Sequence, residues 1–166
     1  MSPSEYKHGA ACGEYLEVRG ARGKVRVIVV DQCPGCEPGH IDLSSKAFRR
    51  IDNYNAGLVK VSYHVVRNPD VPSLTVRVKE GSSASWMALQ ILNNGNELSS
   101  VQLVRSTHLQ PLVRTAYGYW LAPQGAGTGP FIVVVRDRLA HRAVVRGIRL
   151  EPGKLQHTSV HLYQQK

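Results

Sequence analysis

Short apolar runs rich in valine, isoleucine and leucine recur along most of this chain, and many end near glycine, proline or asparagine. Such runs favour strands over helices, because β-branched side chains fit a pleated sheet and turn residues end each strand. In the second half, the pattern predicts strands at residues 74–80, 85–92, 97–104, 111–122, 130–137, 143–150 and 158–165. Strands at this spacing are typical of a β-sandwich.

The first part of the chain combines strands with one helix. Strands are predicted at residues 14–20, 24–31 and 58–66, and the last two are expected to be buried. Residues 42–51 place apolar side chains at helical spacing, and Asp42 is a suitable N-cap for that helix. Two prolines within residues 67–73 predict a linker before the sandwich.

Positive charge is concentrated in the second part of the chain. The 166 residues carry a formal net charge of +9. Residues 1–70 hold 10 basic and 8 acidic side chains, whereas residues 71–166 hold 11 and 4. The second part should therefore attract a polyanion such as a nucleic acid, an acidic lipid or an acidic wall polymer. The arginines are spread over several strands and no nucleic-acid-binding motif is present, so specific binding to DNA or RNA is not expected.

Membrane insertion is not expected either. No apolar run approaches the roughly 18 residues of a membrane-spanning helix. The N-terminal segment lacks the charged and apolar regions of a signal peptide. A mature secreted chain preceded by an added methionine would show the same pattern, so a secreted protein remains compatible with the sequence.

Three cysteines, Cys12, Cys33 and Cys36, lie within the first 36 residues. With His40 they could supply a Cys₃His zinc site, but a second ligand pair at the usual spacing is missing. A thiol redox centre is disfavoured, because the Cys-x-x-Cys pair does not lie at a helix N-terminus. The preferred interpretation is a disulfide among these three residues, with at least one cysteine left over.

Two carboxylates flank the cysteine pair. Asp31 ends a predicted strand and Asp42 begins the predicted helix. Polar chemistry is commonly placed at such positions, and glycoside hydrolysis normally needs two carboxylates, one as acid and one as base or nucleophile. The spacing alone leaves both interpretations of Asp42 open, a helix cap and an acid.

Aromatic side chains form a second group of candidates. Within one strand, Tyr117 and Tyr119 would share a face while Trp120 points to the opposite one. Aromatic residues are more often part of a core, but two on an outer face would form a flat surface suited to stacking on a sugar ring. Several serines precede Trp86, which therefore has few bulky neighbours on that side.

Four segments together resemble one protein family. They are AACGEYLEV (10–18), VVDQCPGCEPGHIDLSSKAFRRI (29–51), VSYHVVRNP (61–69) and VRVKEGSSASWMALQI (76–91). The chain resembles the microbial expansins over essentially its whole length. The resemblance lies in the order of these segments, in the lengths of the loops between them and in the Lys-Glu-Gly-Ser-Ser-x-x-Trp signature. The resemblance implies a mainly β protein. An N-terminally shortened double-psi β-barrel, related to inverting endoglucanases, is expected at residues 1–68, and an immunoglobulin-like β-sandwich that binds carbohydrate at residues 72–166.

The resemblance also implies a function. Expansins loosen plant cell walls by disrupting contacts between cellulose and matrix polysaccharides, without hydrolysis and without a metal or other cofactor. The chain is therefore expected to be a secreted, monomeric, non-enzymatic protein with cellulose and acidic or matrix wall polysaccharides as partners, and peptidoglycan as a further one. The alternative is a glycan-cleaving relative, an endoglucanase or a peptidoglycan lytic transglycosylase, that uses Asp42 as its acid.

Candidate site residues follow from the same resemblance. Asp42 falls on the family's essential aspartate, and Asp31 falls on its neighbour in the groove. Trp86 and Tyr117 fall on two of three platform aromatics, and Lys79 on a basic residue that flanks the platform.

The chain departs from the family pattern in three places. The family barrel begins about 40 residues upstream, and a barrel without those strands leaves unpaired edges. A second cysteine of the family motif is replaced by Tyr15, which explains the odd number of cysteines and leaves open whether Cys12 pairs with Cys33 or Cys36. The third platform aromatic is replaced by Ser85, which should weaken binding to cellulose unless Tyr119 substitutes for it.

Overall fold

Strands dominate the computed structural model, which describes residues 1–165. Within this range the strands are β1 (Tyr15–Gly20), β2 (Gly23–Ile28), β3 (Ser62–Val66), β4 (Thr75–Val78), β5 (Met87–Leu92), β6 (Leu98–Val104), β7 (Leu109–Pro111), β8 (Val113–Arg114), β9 (Trp120–Ala122), β10 (Phe131–Asp137), β11 (Arg142–Ile148) and β12 (Leu155–His157). The helices are α1 (Pro3–Tyr6) and α2 (Ser45–Ile51), with a 3-10 helix at Tyr54–Ala56. The mainly β fold predicted from the sequence is confirmed. Across these 165 residues, no helix has the length and apolar character needed to cross a membrane.

The first sheet is three-stranded and antiparallel, in the order β2-β1-β3. Its central strand buries Leu16 and Val18, which belong to the same apolar cluster as Ile51 of α2. The edge strand β2 alternates between half-buried and exposed residues. The predicted buried strands at residues 24–31 and 58–66 are therefore wrong in their burial and length. Both lie at edges of this sheet, and they span only Gly23–Ile28 and Ser62–Val66.

Two larger sheets follow. One has four strands in the order β11-β10-β6-β7, and the other has five in the order β12-β4-β5-β9-β8. Both sheets contribute side chains to one buried cluster. Val76, Leu89 and Trp120 come from the five-stranded sheet, and Val101 and Val133 come from the four-stranded sheet. The two sheets therefore pack face to face around a shared core.

Helix α2 begins later than predicted. It starts at Ser45, and its N-cap is Ser44, whose hydroxyl accepts a hydrogen bond from the Ala47 amide at 3.3 Å. The prediction that Asp42 caps this helix is wrong, because Ser44 is the residue whose side chain reaches a free amide of the first turn. Asp42 lies exposed in the preceding loop.

Two predicted strands also differ from the structure. Residues 111–122 are divided among the end of β7, β8 and β9, because Thr115 and Tyr119 close a tight turn through hydrogen bonds between 2.8 and 3.1 Å. The last strand is β12 rather than residues 158–165. Residues 158–165 contact the start of β4 through single hydrogen bonds, such as the one that the Leu74 amide donates to the Val160 carbonyl at 2.8 Å.

The segment between the first sheet and the two larger ones is held by side-chain hydrogen bonds. The Asn68 amide donates to Asn96 Oδ1 at 2.9 Å, and Asn96 Nδ2 donates to Asn68 Oδ1 at 2.8 Å. Asn96 Nδ2 also donates to Asp137 Oδ2 at 2.8 Å. The predicted linker is thereby fastened to the loop before β6 and to the end of β10.

The first part of the chain also contacts the second directly. Lys7 Nζ lies 3.9 Å from Glu97 Oε2, and Glu14 forms an isolated parallel bridge with the loop before β6. A Cβ atom built at Gly9 would lie 2.4 Å from the Thr115 carbonyl oxygen, so only glycine allows this close approach. These contacts place the turn before β9 against the first part of the chain.

Glu14 carries an unfavourable charge at this contact. Burial and the nearby Glu97 raise the pKa of Glu14, although Lys7 and Arg138 act in the opposite direction. A carboxyl with a higher pKa in the folded than in the unfolded protein destabilises the fold once it ionises. The destabilisation is absent below the unfolded pKa and grows as pH rises through the folded pKa.

Replacing Glu14 with glutamine is therefore expected to raise the melting temperature at neutral pH and to change it little at about pH 4, near the ordinary carboxyl pKa. Thermal unfolding of the parent protein and the variant at both pH values tests this. Earlier melting of the variant at neutral pH would contradict the prediction.

Candidate functional site

The loop between β2 and α2 carries both candidate carboxylates. Its disulfide joins Cys33 to Cys36, whose Cα atoms lie 5.3 Å apart. The Cys36 amide donates to the Cys33 carbonyl at 3.0 Å, so the bridge closes a single tight turn. The predicted disulfide among the three cysteines is confirmed, and Cys12 is the cysteine left over. Its thiol is free and lies against Gly118, across the contact between the two parts of the chain.

A zinc site at the cysteines finds no support. Both sulfur atoms of the Cys-x-x-Cys pair are used in the disulfide and cannot act as thiolate ligands. Among residues 1–165, no three side chains of His, Cys, Asp or Glu converge as metal ligands would. Burial, together with the nearby Asp31, raises the pKa of the Cys12 thiol against a smaller lowering by Tyr6. This keeps the thiol protonated and poorly reactive.

Asp31 and Asp42 line one cleft of about 330 Å³. Both side chains are exposed, and Asp31 Oδ1 accepts a hydrogen bond from the Gln32 amide at 2.8 Å. Apolar residues such as Val29 and Ile41 form other parts of the wall. A cleft with apolar walls and a few polar groups can contact both the C–H faces and the hydroxyl groups of a sugar chain.

Glu5 holds the loop that leads to Asp42. Its Oε2 atom accepts hydrogen bonds from the Gly39 amide at 3.1 Å and from the Ser2 hydroxyl, and its Oε1 atom accepts one from the Tyr63 hydroxyl. Burial acts to raise the pKa of Glu5, but these hydrogen bonds outweigh it and lower the pKa below its ordinary value. Sequence reasoning missed Glu5 and Tyr63, because no local pattern links residues that lie 58 positions apart.

The second group of candidates lies on the outer face of the five-stranded sheet. Leu89 of β5 pairs with Val78 on one side and Trp120 on the other, and all three are buried. Because side chains alternate along a strand, the neighbouring Lys79 and Tyr119 project from the opposite face. The Lys79 Nζ atom lies 6.0 Å from the centre of the Tyr119 ring.

Tyr117 extends this surface from the turn before β9. Its side chain is 52% exposed, and its ring centre lies 5.9 Å from that of Tyr119. Trp120 points the other way into the core, where the Arg114 guanidinium lies 4.9 Å from its ring centre. The tyrosine pair therefore faces solvent although the segment is a turn and not the predicted strand.

Trp86 stands immediately before β5, at the end of a braced loop. The Ser83 amide donates to the Trp86 carbonyl at 2.7 Å, and the Ser85 hydroxyl lies 3.1 Å from that of Ser83. The Ala84 carbonyl accepts the amides of Ala126 and Gly127 at 3.1 and 3.0 Å. The serines of the signature therefore form hydrogen bonds within the loop that carries Trp86.

Comparison with known proteins points to one family. Residues 1–63 match the model of a double-psi β-barrel family described as lytic transglycolase. Expansin-YoaJ of Bacillus subtilis (strain 168) is 32% identical over 141 residues, which are 82% of this chain and 60% of that protein. Expansin-like protein 5 of Dictyostelium discoideum is 30% identical over 140 residues, with coverage of 80% and 58%.

Solved structures of the Clavibacter michiganensis expansin agree over the whole fold. A point mutant in complex with cellohexaose is 44% identical and superposes with a TM-score of 0.96, covering 100% of this chain and 82% of that one. This chain belongs to the expansin family. The apo form of the same expansin gives a TM-score of 0.95 at 45% identity. The expansin resemblance inferred from the sequence is confirmed.

As an expansin, the chain is shorter than the curated relatives it matches. It spans 60% of the Bacillus protein and 58% of the Dictyostelium protein. The part it shares with the Clavibacter expansin includes both surfaces described above, the carboxylate cleft and the aromatic face. The structure brings Asp31 and Asp42 together in the first, and Lys79, Tyr117 and Tyr119 together in the second.

Proposed function

We propose that this chain is a non-hydrolytic, secreted and monomeric expansin that binds cellulose and matrix polysaccharides and loosens plant cell walls. The observation that carries the proposal is the solvent-facing pair Tyr117 and Tyr119 beside Lys79, with Trp86 immediately before β5. Exposed aromatic rings stack on the C–H faces of sugars, and an ammonium group donates hydrogen bonds to hydroxyl oxygens. The complex of the Clavibacter expansin with cellohexaose supports a β-glucan as the ligand. The Cys33–Cys36 disulfide supports an oxidising, extracellular environment.

The proposal includes two domains. Residues 1–68 would form part of a double-psi β-barrel, to which the described residues contribute the three-stranded sheet β2-β1-β3, and residues 72–166 would form an immunoglobulin-like β-sandwich that carries the aromatic face. Two separate clusters of buried residues support this division. One is built from residues up to Ile51, and the other begins at Val71.

The exposure of the carboxylates favours binding over hydrolysis. A catalytic carboxylic acid is normally kept protonated by an apolar environment or by a neighbouring carboxylate. Asp31 and Asp42 are both open to solvent in a wide cleft. We infer that Asp42 binds sugar hydroxyl groups and is needed for wall loosening, and that no glycosidic bond is broken.

Removing the aromatic face should abolish most cellulose binding. We expect Trp86→Ala and Tyr117→Ala each to weaken binding to crystalline cellulose roughly 5- to 10-fold, because each deletes one stacking ring. Tyr117→Phe keeps the ring and should bind normally. A pull-down with insoluble cellulose measures this, with Leu139→Ala as a control for an exposed apolar side chain in the turn between β10 and β11. Unchanged binding in both alanine variants would refute the assignment of the face.

Asp42→Asn separates loosening from binding. We expect this variant to bind cellulose normally, to lose extension activity on plant walls held under load, and to match the parent protein in releasing no soluble sugar. Loss of cellulose binding would show that Asp42 belongs to the same binding surface as the aromatic residues.

Acidic wall polysaccharides are the second proposed ligand class. Arg136 and Arg142 are paired across β10 and β11, and both are exposed, as is Arg146 further along β11. This places positive charge on one side of the four-stranded sheet, as the charge distribution of the sequence suggested. Binding to pectin should weaken with added salt, because exposed charges are screened.

A peptidoglycan lytic transglycosylase is the alternative function. The description of the family matched by residues 1–63 favours it, and Asp42 would be its acid. Incubation with peptidoglycan and with cellulose distinguishes the two. Anhydro-sugar or reducing-end products that disappear in Asp42→Asn would establish the alternative, and their absence supports the non-enzymatic proposal.

A further inference from the structure

Asp42 also lines a second cleft, of about 560 Å³. This cleft shares Cys33 and Asp42 with the first one, so the two adjoin at the carboxylate. Its other walls include His40, Phe48 and Tyr54. The lining contains one carboxylate and one imidazole but neither lysine nor arginine, although the chain as a whole is strongly basic.

Tyr54 is held as an exposed ring at this cleft. It is 44% exposed, and the Arg49 guanidinium carbon lies 4.2 Å from the ring centre. The Phe48 ring meets it edge-on, at 6.1 Å and an angle of 88°. Phe48 lines the cleft and Arg49 does not. Arg49 therefore covers one side of the Tyr54 ring without lining the cleft, and the partly exposed Tyr54 itself lines it.

The backbone around Tyr54 is also fixed. Asn53 caps the 3-10 helix by accepting a hydrogen bond from the Asn55 amide at 3.2 Å, and Asp52 Oδ1 accepts one from the Asn53 amide at 2.7 Å. A ring that is already held in place loses little conformational freedom on binding, which favours affinity. The cleft thus combines a supported aromatic ring with polar groups that can bind hydroxyl groups.

We propose that Tyr54 is a sugar-stacking subsite that continues the Asp42 cleft and takes a neutral β-linked glucan chain. The inference rests on the proposed function, since it extends a cleft already assigned to polysaccharide. The lining includes the Asp42 carboxylate and neither lysine nor arginine, which disfavours an acidic polymer despite the Arg49 guanidinium on the Tyr54 ring. The aromatic ring stacks on the C–H faces of the glucan, while Asp42 and His40 form hydrogen bonds with its hydroxyl groups.

The test removes the aromatic face so that the cleft is observed alone. Cellohexaose is titrated into the chain carrying Trp86→Ala, Tyr117→Ala and Tyr119→Ala, and backbone amide signals are followed by NMR. We expect signals of Asn55 and Gly57 to shift in this background. Adding Tyr54→Ala should weaken cellohexaose affinity about fivefold and remove these shifts, whereas adding Tyr54→Phe should preserve both.

Each outcome decides between the two proposals. If the parent chain binds cellohexaose but the chain without the aromatic face does not, the Tyr54 subsite is wrong and the aromatic-face proposal stands. If the parent chain binds neither cellohexaose nor cellulose, the proposed function itself fails. Shifts at these amides with polygalacturonate instead of cellohexaose would overturn the assignment of a neutral ligand. If Tyr54→Ala unfolds the chain, the test uses the chemical-shift changes in the chain without the aromatic face and in the same chain with Tyr54→Phe. Absence of shifts at Asn55 and Gly57 in both would overturn the Tyr54 subsite.

Discussion

Replacing Asp137 with alanine is expected to lower the free energy of unfolding by about 3–5 kcal/mol. The Asp137 side chain is fully buried at the end of β10. Its Oδ1 atom accepts the amides of Leu139 and His141, both at 2.9 Å. Its Oδ2 atom accepts Asn96 Nδ2 at 2.8 Å and lies 2.7 Å from His141 Nδ1. Alanine would remove the acceptor of two part-buried backbone amides and of His141 Nδ1, and one of the two acceptors of Asn96 Nδ2.

Urea unfolding measures the loss, and two variants serve as comparisons. Asp70→Ala removes the same charge from an exposed position of the connecting segment and should change stability by less than about 0.5 kcal/mol. Asp137→Asn keeps one acceptor oxygen and should lie between the two. An Asp137→Ala variant as stable as Asp70→Ala would show that the buried network does not stabilise the fold.

Gly125→Ala should be the most damaging substitution near the aromatic face. A Cβ atom at this position would lie 2.1 Å from the Ala84 carbonyl oxygen and 2.6 Å from the Ser85 Cα atom, so backbone must move. Overpacking of this kind costs about 1–3 kcal/mol. The displaced loop carries Trp86, so cellulose binding by the folded fraction should fall as well.

Gly127→Ala is a matched control in the same loop. Gly125 and Gly127 have nearly the same left-handed backbone, with φ of +77° and +78°, but a Cβ atom at Gly127 would meet nothing within 4 Å. Both variants therefore carry the same conformational cost, and only Gly125→Ala adds the clash. Thermal unfolding and cellulose pull-down compare them, and equal effects would show that the clash is absorbed.

Local patterns in the sequence predict much of the fold. The β-branched runs that form β4, β5, β6, β10 and β11 are found within a few residues of their predicted positions, because each strand is encoded by its own alternation and turn residues. The outward direction of Tyr117 and Tyr119 and the burial of Trp120 also agree with simple alternation. The start of α2 does not follow from the local pattern. Both Asp42 and Ser44 are good capping residues, and the tertiary structure determines which of them caps the helix.

Features that depend on distant pairs are beyond local patterns. The sequence could not decide how three cysteines pair, because the free thiol of Cys12 results from its placement against Gly118. The bonds from Glu5 to Tyr63, and from Asn96 to Asp137, join residues 58 and 41 positions apart. The family resemblance indicated the candidate site residues, but not the hydrogen bonds by which Glu5 supports the loop that leads to Asp42.

The close approach of Gly9 to Thr115 has a consequence for avidity. That contact and the Asn68–Asn96 hydrogen bonds hold the carboxylate clefts and the aromatic face at a fixed spacing. A polymer strand bound at one surface then meets the other as an intramolecular event, at an effective concentration set by geometry and not by diffusion of a flexible tether. Under the proposed function, two individually weak sugar contacts held at this spacing would give long residence on a polysaccharide.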